Sequence, residues 1–261
     1  MRYVIDHDFH LHSILSPCVP DQSLTPERIL EYAEEYKLKT IVLTDHFWDS
    51  KAEGNPLEYM KEENLEHISQ ALPLPQKNGI RYLFGCEVDL DSDMNIGIHK
   101  SNYDKFDFII IATTHFRAWV KEEVSTEERA RLYVERFDKV LNSDLPFHKV
   151  GIAHLTIDMI DLSTPTAHLD LLDKISDETF ERLFRRTAEL GMGVEINYIL
   201  PYEKQEDLER CLRPYRIAKR CGCKFYIATD AHLVSEFSLV QNRAQEIIDA
   251  LNLEESDKFV L

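Results

Sequence analysis

Cysteine is scarce in this 261-residue chain, basic residues are outnumbered, and long apolar runs are missing. Each shortage closes off a class of protein. The five cysteines, Cys18, Cys86, Cys211, Cys221 and Cys223, are odd in number and form no paired C-x-x-C sets, which argues against a disulfide framework or a structural thiolate zinc site. Cys221-Gly222-Cys223 falls where a helix is expected to end on Gly222, and its two thiols read as packing. No run approaches the roughly 18 to 20 apolar residues of a membrane span, and the opening residues lack the order of a signal peptide, so the expected location is the cytoplasm. Lys and Arg total 30 against 47 Asp and Glu, a net charge of -17, and no basic stripe offers itself to nucleic acid. No Gly/Ser-rich linker or internal repeat divides the chain, which predicts a single domain over 1–261.

Short β-branched or apolar runs alternate with helix-like segments, the pattern of an α/β protein with a mainly parallel sheet. Seven strands are expected, over 3–9, 40–44, 81–87, 106–113, 150–154, 193–197 and 224–229. Thr25 as N-cap and Pro26 at N1 open the first helix, with Ile29, Leu30, Ala33 and Tyr36 on its apolar face. Further helices are expected over 57–71, 126–142, 178–190, 205–221 and 235–252. The stretch 159–177 carries no obvious element and reads equally as a lid, a short helix or plain surface.

The residues that close these strands carry the chemistry. They are His10 and His12, Asp45 and His46, Glu87, His115, His154, Glu195 and Asn197, and Asp230 with His232. Ligands bind at the carboxyl ends of parallel strands, so seven polar endings point to one place. Six of the 11 histidines fall there. A lone histidine is usually a hydrogen-bonded core residue, but six in register favour a metal site. His10 and His12 are two apart on a strand and face the same way, as do Asp230 and His232 if their strand continues. Asp45 and His46 face oppositely, which assigns the metal to His46 and local bracing to Asp45. Imidazole mixed with carboxylate suits catalytic Zn, Mn or Fe(II) rather than Ca.

His10-Leu11-His12-Ser13, Ser16-Pro17-Cys18, Thr44-Asp45-His46, Gly85-Cys86-Glu87, the histidines after the next two strands and Asp230-Ala231-His232 together resemble the polymerase and histidinol phosphatase (PHP) family. The resemblance implies a distorted (β/α)7 barrel with a trinuclear site. It assigns His10, His12, Glu87 and Asp230 to one metal, with Glu87 bridging to a second held by His115 and His154. The third is held by His46, His232 and a group in the loop after His12. Many relatives carry histidine at that last position; here it is Cys18, with Asp21 close by as the alternative.

The expected activity is hydrolysis of a small-molecule phosphomonoester, histidinol phosphate or a similar compound, by water activated on two or three divalent ions. His232 is a candidate for protonating the leaving alcohol, Arg117 for clamping the phosphate, and Asp45 for supporting the catalytic set. Glu195 and Asn197 are expected to brace the rim. Competing readings are a nuclease or nucleotide phosphatase, a phosphotyrosine phosphatase, and a degenerate PHP module without activity. The charge opposes polyanion binding, and the filled ligand positions oppose degeneracy. Oligomeric state is not legible.

Overall fold

The computed structural model describes residues 1–115, 124–156, 167–197 and 204–261. Its strands are β1 (His7–Leu11), β2 (Thr40–Leu43), β3 (His46–Phe47), β4 (Arg81–Asp89), β5 (Phe108–Ala112), β6 (Val150–Ile152), β7 (Gly193–Asn197) and β8 (Lys224–Ala228). All pair in parallel in the order β1-β2-β4-β5-β6-β7-β8. The two-residue β3 continues β2 along the same edge of β4, with His46 opposite Glu87. The second of the seven expected strands is therefore one strand broken at Thr44 and Asp45. The helices are α1 (Pro26–Glu35), α2 (Leu65–Ile68), α3 (Thr126–Leu141), α4 (Ala167–Asp173), α5 (Asp177–Leu190), α6 (Gln205–Arg220) and α7 (Leu239–Leu251). No helix among the described residues is long and apolar enough to cross a membrane.

The sheet nearly closes into a barrel, because β8 returns to β1. At the carboxyl end Asp230 N–H donates to the His10 carbonyl at 2.8 Å, and Leu11 bridges Ala231 in parallel. Below that point side chains do the joining. His7 Nε2 accepts from Ile227 N–H at 3.0 Å, while Asp8 accepts from Thr229 N–H at 3.1 Å and from the Thr229 hydroxyl at 2.7 Å. His7 is thus a buried structural residue, as are the groups that keep the seam's backbone donors satisfied.

Alternation along the strands separates two cores. Phe9, Val42, Phe108, Ile110, Tyr226 and Ala228 pack inside the barrel, and Leu11, Ile41, Leu43, Ile109, Ile111, Val194 and Ile227 pack outward under the helices. The interior is tight enough to require glycine. A Cβ on Gly151 would stand 2.5 Å from the Tyr226 hydroxyl oxygen, and one on Gly85 would stand 2.7 Å from the Phe108 carbonyl oxygen.

Several expectations shift by identifiable causes. β1 starts at His7 rather than Tyr3, because Tyr3 N–H pairs with the Leu253 carbonyl instead of a neighbouring strand. The expected helix 57–71 is three short pieces, since Asn64 caps a new helix by accepting from Glu66 and His67 N–H. Within 159–177 a short helix, α4, occupies the described part; residues 157–166 lie outside the described residues. α6 ends as anticipated: Gly222 takes φ +86° and Cys223 N–H reaches back to the Ala218 carbonyl, with the Cys223 thiol buried against Phe184.

Candidate metal centre

A bulge in β1 sets the first two ligands. Asp8 pairs with Ile41 and Leu11 with Leu43, so β1 spends one residue more than β2 over that span. Phe9 thereby fills the barrel while His10 and His12 both reach its open end, their Nε2 atoms 3.1 Å apart. Asp230 Oδ1 lies 3.1 Å from His12 Nε2 and 3.4 Å from His10 Nε2. Glu87 Oε2, from the middle of β4, lies 3.6 and 3.5 Å from the same two nitrogens. Four ligands bound tetrahedrally at about 2.0–2.2 Å stand roughly 3.3–3.6 Å from one another. The four side chains have the spacing of one ion's ligands.

A second group shares two of these carboxylates. Glu87 Oε1 lies 3.0 Å from His154 Nε2 and 3.7 Å from His115 Nε2, and Asp230 Oδ2 lies 3.7 Å from His154 Nε2. Asp230 therefore faces both groups and would bridge two ions there, as is expected of Glu87. A third group gathers Cys18, His46 and His232 beside His12. Asp21 does not join it: one oxygen accepts from Ser23 and the other from Val234 N–H.

The strand of Asp230 and His232 does not continue through them. β8 ends at Ala228, and Asp230 turns into the left-handed region at φ +54°. His154 does the same after β6, at φ +37°. Non-glycine residues pay for that conformation, and such strain gathers at functional sites. The turns let one residue leave its strand and still aim inward.

Five imidazoles are oriented alike, with Nδ1 bound outward and Nε2 turned into the cluster. His10 Nδ1–H donates to Glu195 at 2.8 Å, His115 Nδ1–H to Asp89 at 2.6 Å, and His232 Nδ1–H to the Asp230 carbonyl at 2.8 Å. His154 Nδ1 rests 3.3 Å from the Thr114 hydroxyl. Ser16 donates its hydroxyl proton to Asp45 at 2.7 Å, so its oxygen accepts from His12 Nδ1–H at 3.0 Å. Outer partners of this kind fix the tautomer of metal-binding histidines.

Asp45 acts at one remove from the cluster. Its oxygens accept from Ser13 N–H, the Ser13 hydroxyl and the Ser16 hydroxyl, tying down the loop after β1. Glu195 also accepts from His154 N–H and Asn197, so it braces two ligands at once. Asp89 and Thr114 escaped the sequence reading, and Ser16 entered it only as part of a motif, without a role. Asp89 had a signal, since it shares a strand face with Glu87, two residues earlier. Arg117 lies outside the described residues. His67 bonds the Leu15 carbonyl, His99 caps the short 3-10 helix that begins at Lys100, and neither joins the three groups.

The inward Nε2 lone pairs and the carboxylate oxygens are all acceptors. Both Glu87 oxygens and His46 Nδ1 are buried with no hydrogen-bond partner. Without a cation the cluster is relieved only by protons. Burial lowers the His10 pKa, but Asp230, Glu195 and Glu87 together raise it well above the ordinary value. Burial of His232 is likewise outweighed by Cys18 and Asp230, which push it up to about 9. His12 is driven down to about 3 by burial and by His232 and His46, against the pull of Asp230. Burial opposes ionisation of Glu87, yet His46, His10 and His115 hold it well below the usual carboxylate range. Divalent cations satisfy the same atoms without these displacements, so the donor set fits a metal cluster.

Comparison with known proteins agrees with this architecture. The PHP domain model matches residues 8–199, which spans the motifs from Asp8 to Asn197. Comparison with curated protein sequences gives no match. Among solved structures, histidinol phosphate phosphatase from Lactococcus lactis subsp. lactis Il1403, complexed with zinc, L-histidinol and phosphate, is similar at a TM-score of 0.62 and 18% identity. The alignment covers 98% of this chain and 99% of that one, and at this identity it bears on the fold alone. PsfC from Pseudomonas syringae PB-5123 aligns at a TM-score of 0.42 and 14% identity over 90% of this chain and 79% of its own, too distant to argue from. With three quarters of its length matched and a nearly closed parallel barrel behind the match, the chain belongs to the PHP domain family.

Proposed function

We propose that this chain is a metal-dependent phosphoesterase that hydrolyses a small phosphomonoester at the carboxyl end of the barrel. The observation that carries the reading is Glu87, a buried carboxylate ringed by imidazole nitrogens and accepting no hydrogen bond. His10, His12, Glu87 and Asp230 would hold one cation, and Glu87, Asp230, His115 and His154 a second. His46, His232 and Cys18 would hold a third. Two or three such ions, Zn, Mn or Fe, supply an activated water and neutralise the charge that develops on the phosphoryl oxygens.

The protein's share is placement and charge. Glu195, Asp89 and Asp45 through Ser16 hold three imidazoles in one tautomer, so their lone pairs need no rearrangement when ligands bind. Of the two roles considered for His232, the ligand role fits better: with Nδ1–H on the Asp230 carbonyl, a ring that gave Nε2 to a cation would retain no proton for the leaving alcohol. Solvent at the open end then supplies that proton. Arg117, two residues beyond His115, is assigned to the phosphate oxygens on sequence grounds. The similar histidinol phosphate phosphatase, with histidinol and phosphate bound, supports a small phosphorylated substrate.

Protein purified from metal-replete medium should contain at least two equivalents of Zn, Mn or Fe and hydrolyse an aryl phosphate. Glu87→Gln should lose metal and reduce kcat/KM by at least about a hundredfold. Metal-free wild-type protein, or a Glu87→Gln variant as active as wild type, would sink the reading.

A further inference from the structure

The third ligand group differs from the other two in kind. The first two share Glu87 and Asp230, whereas the third gathers a thiol and imidazoles, with His46 Nδ1 also 2.9 Å from Glu87 Oε2. Its members come from three separate loops and strands: Cys18 from the loop after β1, His46 from β3, and His232 from the turn after β8. Cys18 is an exposed residue, whereas Cys86, Cys211 and Cys223 are buried in the core and Cys221 packs against the Glu181 carbonyl.

Two imidazoles, those of His46 and His232, gather at the Cys18 thiol. His232 Nδ1–H is spent on the Asp230 carbonyl, so in the neutral ring the Nε2 lone pair faces Cys18 Sγ, 3.0 Å away. His46, with only 8% of its side chain exposed, has Nδ1 2.9 Å from Glu87 Oε2 and groups with the Cys18 thiol and His232. His12, the fourth neighbour, is already committed, with Nε2 against His10 and Asp230 and Nδ1 on Ser16. Asp21, the alternative in this loop, has both oxygens accepting hydrogen bonds. What remains is one sulfur and two imidazoles with a fourth position open, the count of a reactive rather than a sealed zinc site.

We infer that Cys18, His46 and His232 form a thiolate–imidazole site that selects zinc, beside a carboxylate-bridged pair with a different metal preference. The inference rests on the metal-cluster reading above and adds to it a chemical asymmetry. Thiolate is a soft ligand that favours Zn over Mn, whereas the shared carboxylates of Glu87 and Asp230 suit Mn and Fe(II) as well as Zn. Exposed to a mixture of ions, the protein should fill its positions unequally: zinc at Cys18, and whatever the medium supplies at the pair.

Cobalt gives a readout that does not depend on activity. Full-length protein stripped with a chelator and reloaded with Co(II) should show a thiolate-to-cobalt charge-transfer band in the near ultraviolet. Cys18→Ser should abolish that band and lower the bound metal by about one equivalent; Cys18→His should abolish the band but keep the equivalent. In parallel, protein equilibrated with excess Mn and trace Zn should retain about one zinc in wild type and markedly less in Cys18→His, with circular dichroism verifying that each variant is folded. Cobalt bound in full without the band, or zinc retention unchanged in Cys18→His, would overturn thiolate ligation while leaving the cluster and the phosphoesterase reading intact. Failure to bind cobalt at all would overturn both.

Discussion

At the scale of single side chains, the candidate site depends on residues outside its three ligand groups. A histidine binds a cation through one nitrogen only if the other holds the proton, and the cluster solves this five times with different partners: Glu195, Asp89, Thr114, a main-chain carbonyl and the Asp45–Ser16 pair. The last is the most exposed to test, because Ser16 is a relay. Its oxygen can accept from His12 only while its proton is taken by Asp45, whose own carboxyl is pulled up by burial and held back by the Ser13 and Ser16 hydrogen bonds. Ser16→Ala and Asp45→Asn should each weaken metal affinity at the His10–His12 position by about 10- to 100-fold, the usual loss when an outer partner is removed. Competition titration with a chromophoric chelator measures this. An unchanged affinity in both variants would mean that packing alone orients His12. That the grouped histidines and carboxylates would gather in one place was legible in the sequence because polar residues closed every strand. Their partners were not: Ser16 and Thr114 carry no distinctive spacing, and their roles arise only when β1 and β3, or β5 and β6, are brought side by side.

Among the elements, two departures from regular strand geometry do most to build the cluster, and neither can be read from periodicity. The β1 bulge puts Phe9 and His10 on the same side, where strict alternation would have sent one of them outward. The left-handed residues His154 and Asp230 end their strands abruptly, so the strand does not continue through Asp230 and His232, the condition on which their common facing rested, while both still reach the site. Helix α2 was misread as part of one long helix for a similar reason, since Asn64 competes as a cap. Helices α3, α5 and α6, by contrast, were legible nearly to the residue, and α1 at its Thr25 cap, although its buried face is Ile29, Tyr32 and Ala33 rather than one that includes Leu30 and Tyr36. The left-handed turn at Asp230 has a measurable energetic signature. Replacing Asp230 by alanine or glycine removes the same carboxylate, but alanine pays about 1–2 kcal/mol for the left-handed backbone. Glycine gives back only about 0.4–1 kcal/mol through its looser unfolded chain. In metal-free protein Asp230→Gly should therefore be more stable than Asp230→Ala, by up to about 1 kcal/mol in urea denaturation. Alanine equal to or more stable than glycine would show that the turn is not strained.

On the whole-molecule scale, the cluster fastens the barrel where its first and last strands meet, since His10 and His12 come from β1 and Asp230 and His232 follow β8. Metal binding should therefore stabilise the entire fold: a ligand present at a thousand times its Kd adds about 4 kcal/mol if it binds only the native state. The pH dependence should have opposite signs with and without metal. In the metal-free protein, the pKa of His232 is raised from 6.5 to about 9, and that of His10 is raised well above its usual value. A raised histidine stabilises the fold in full below its unfolded pKa, and that contribution fades as pH climbs through the folded value. Chelated protein should accordingly lose stability progressively between about pH 6.5 and 9. With metal present, protons compete for the same nitrogens, so occupancy and stability rise with pH over that window. Thermal denaturation with a chelator and with excess Zn, run from pH 6 to 9, should give Tm curves that diverge as pH increases. Parallel curves would show that the buried acceptors are relieved by something other than protons and metal, and would remove the link between the site's electrostatics and the closure of the barrel.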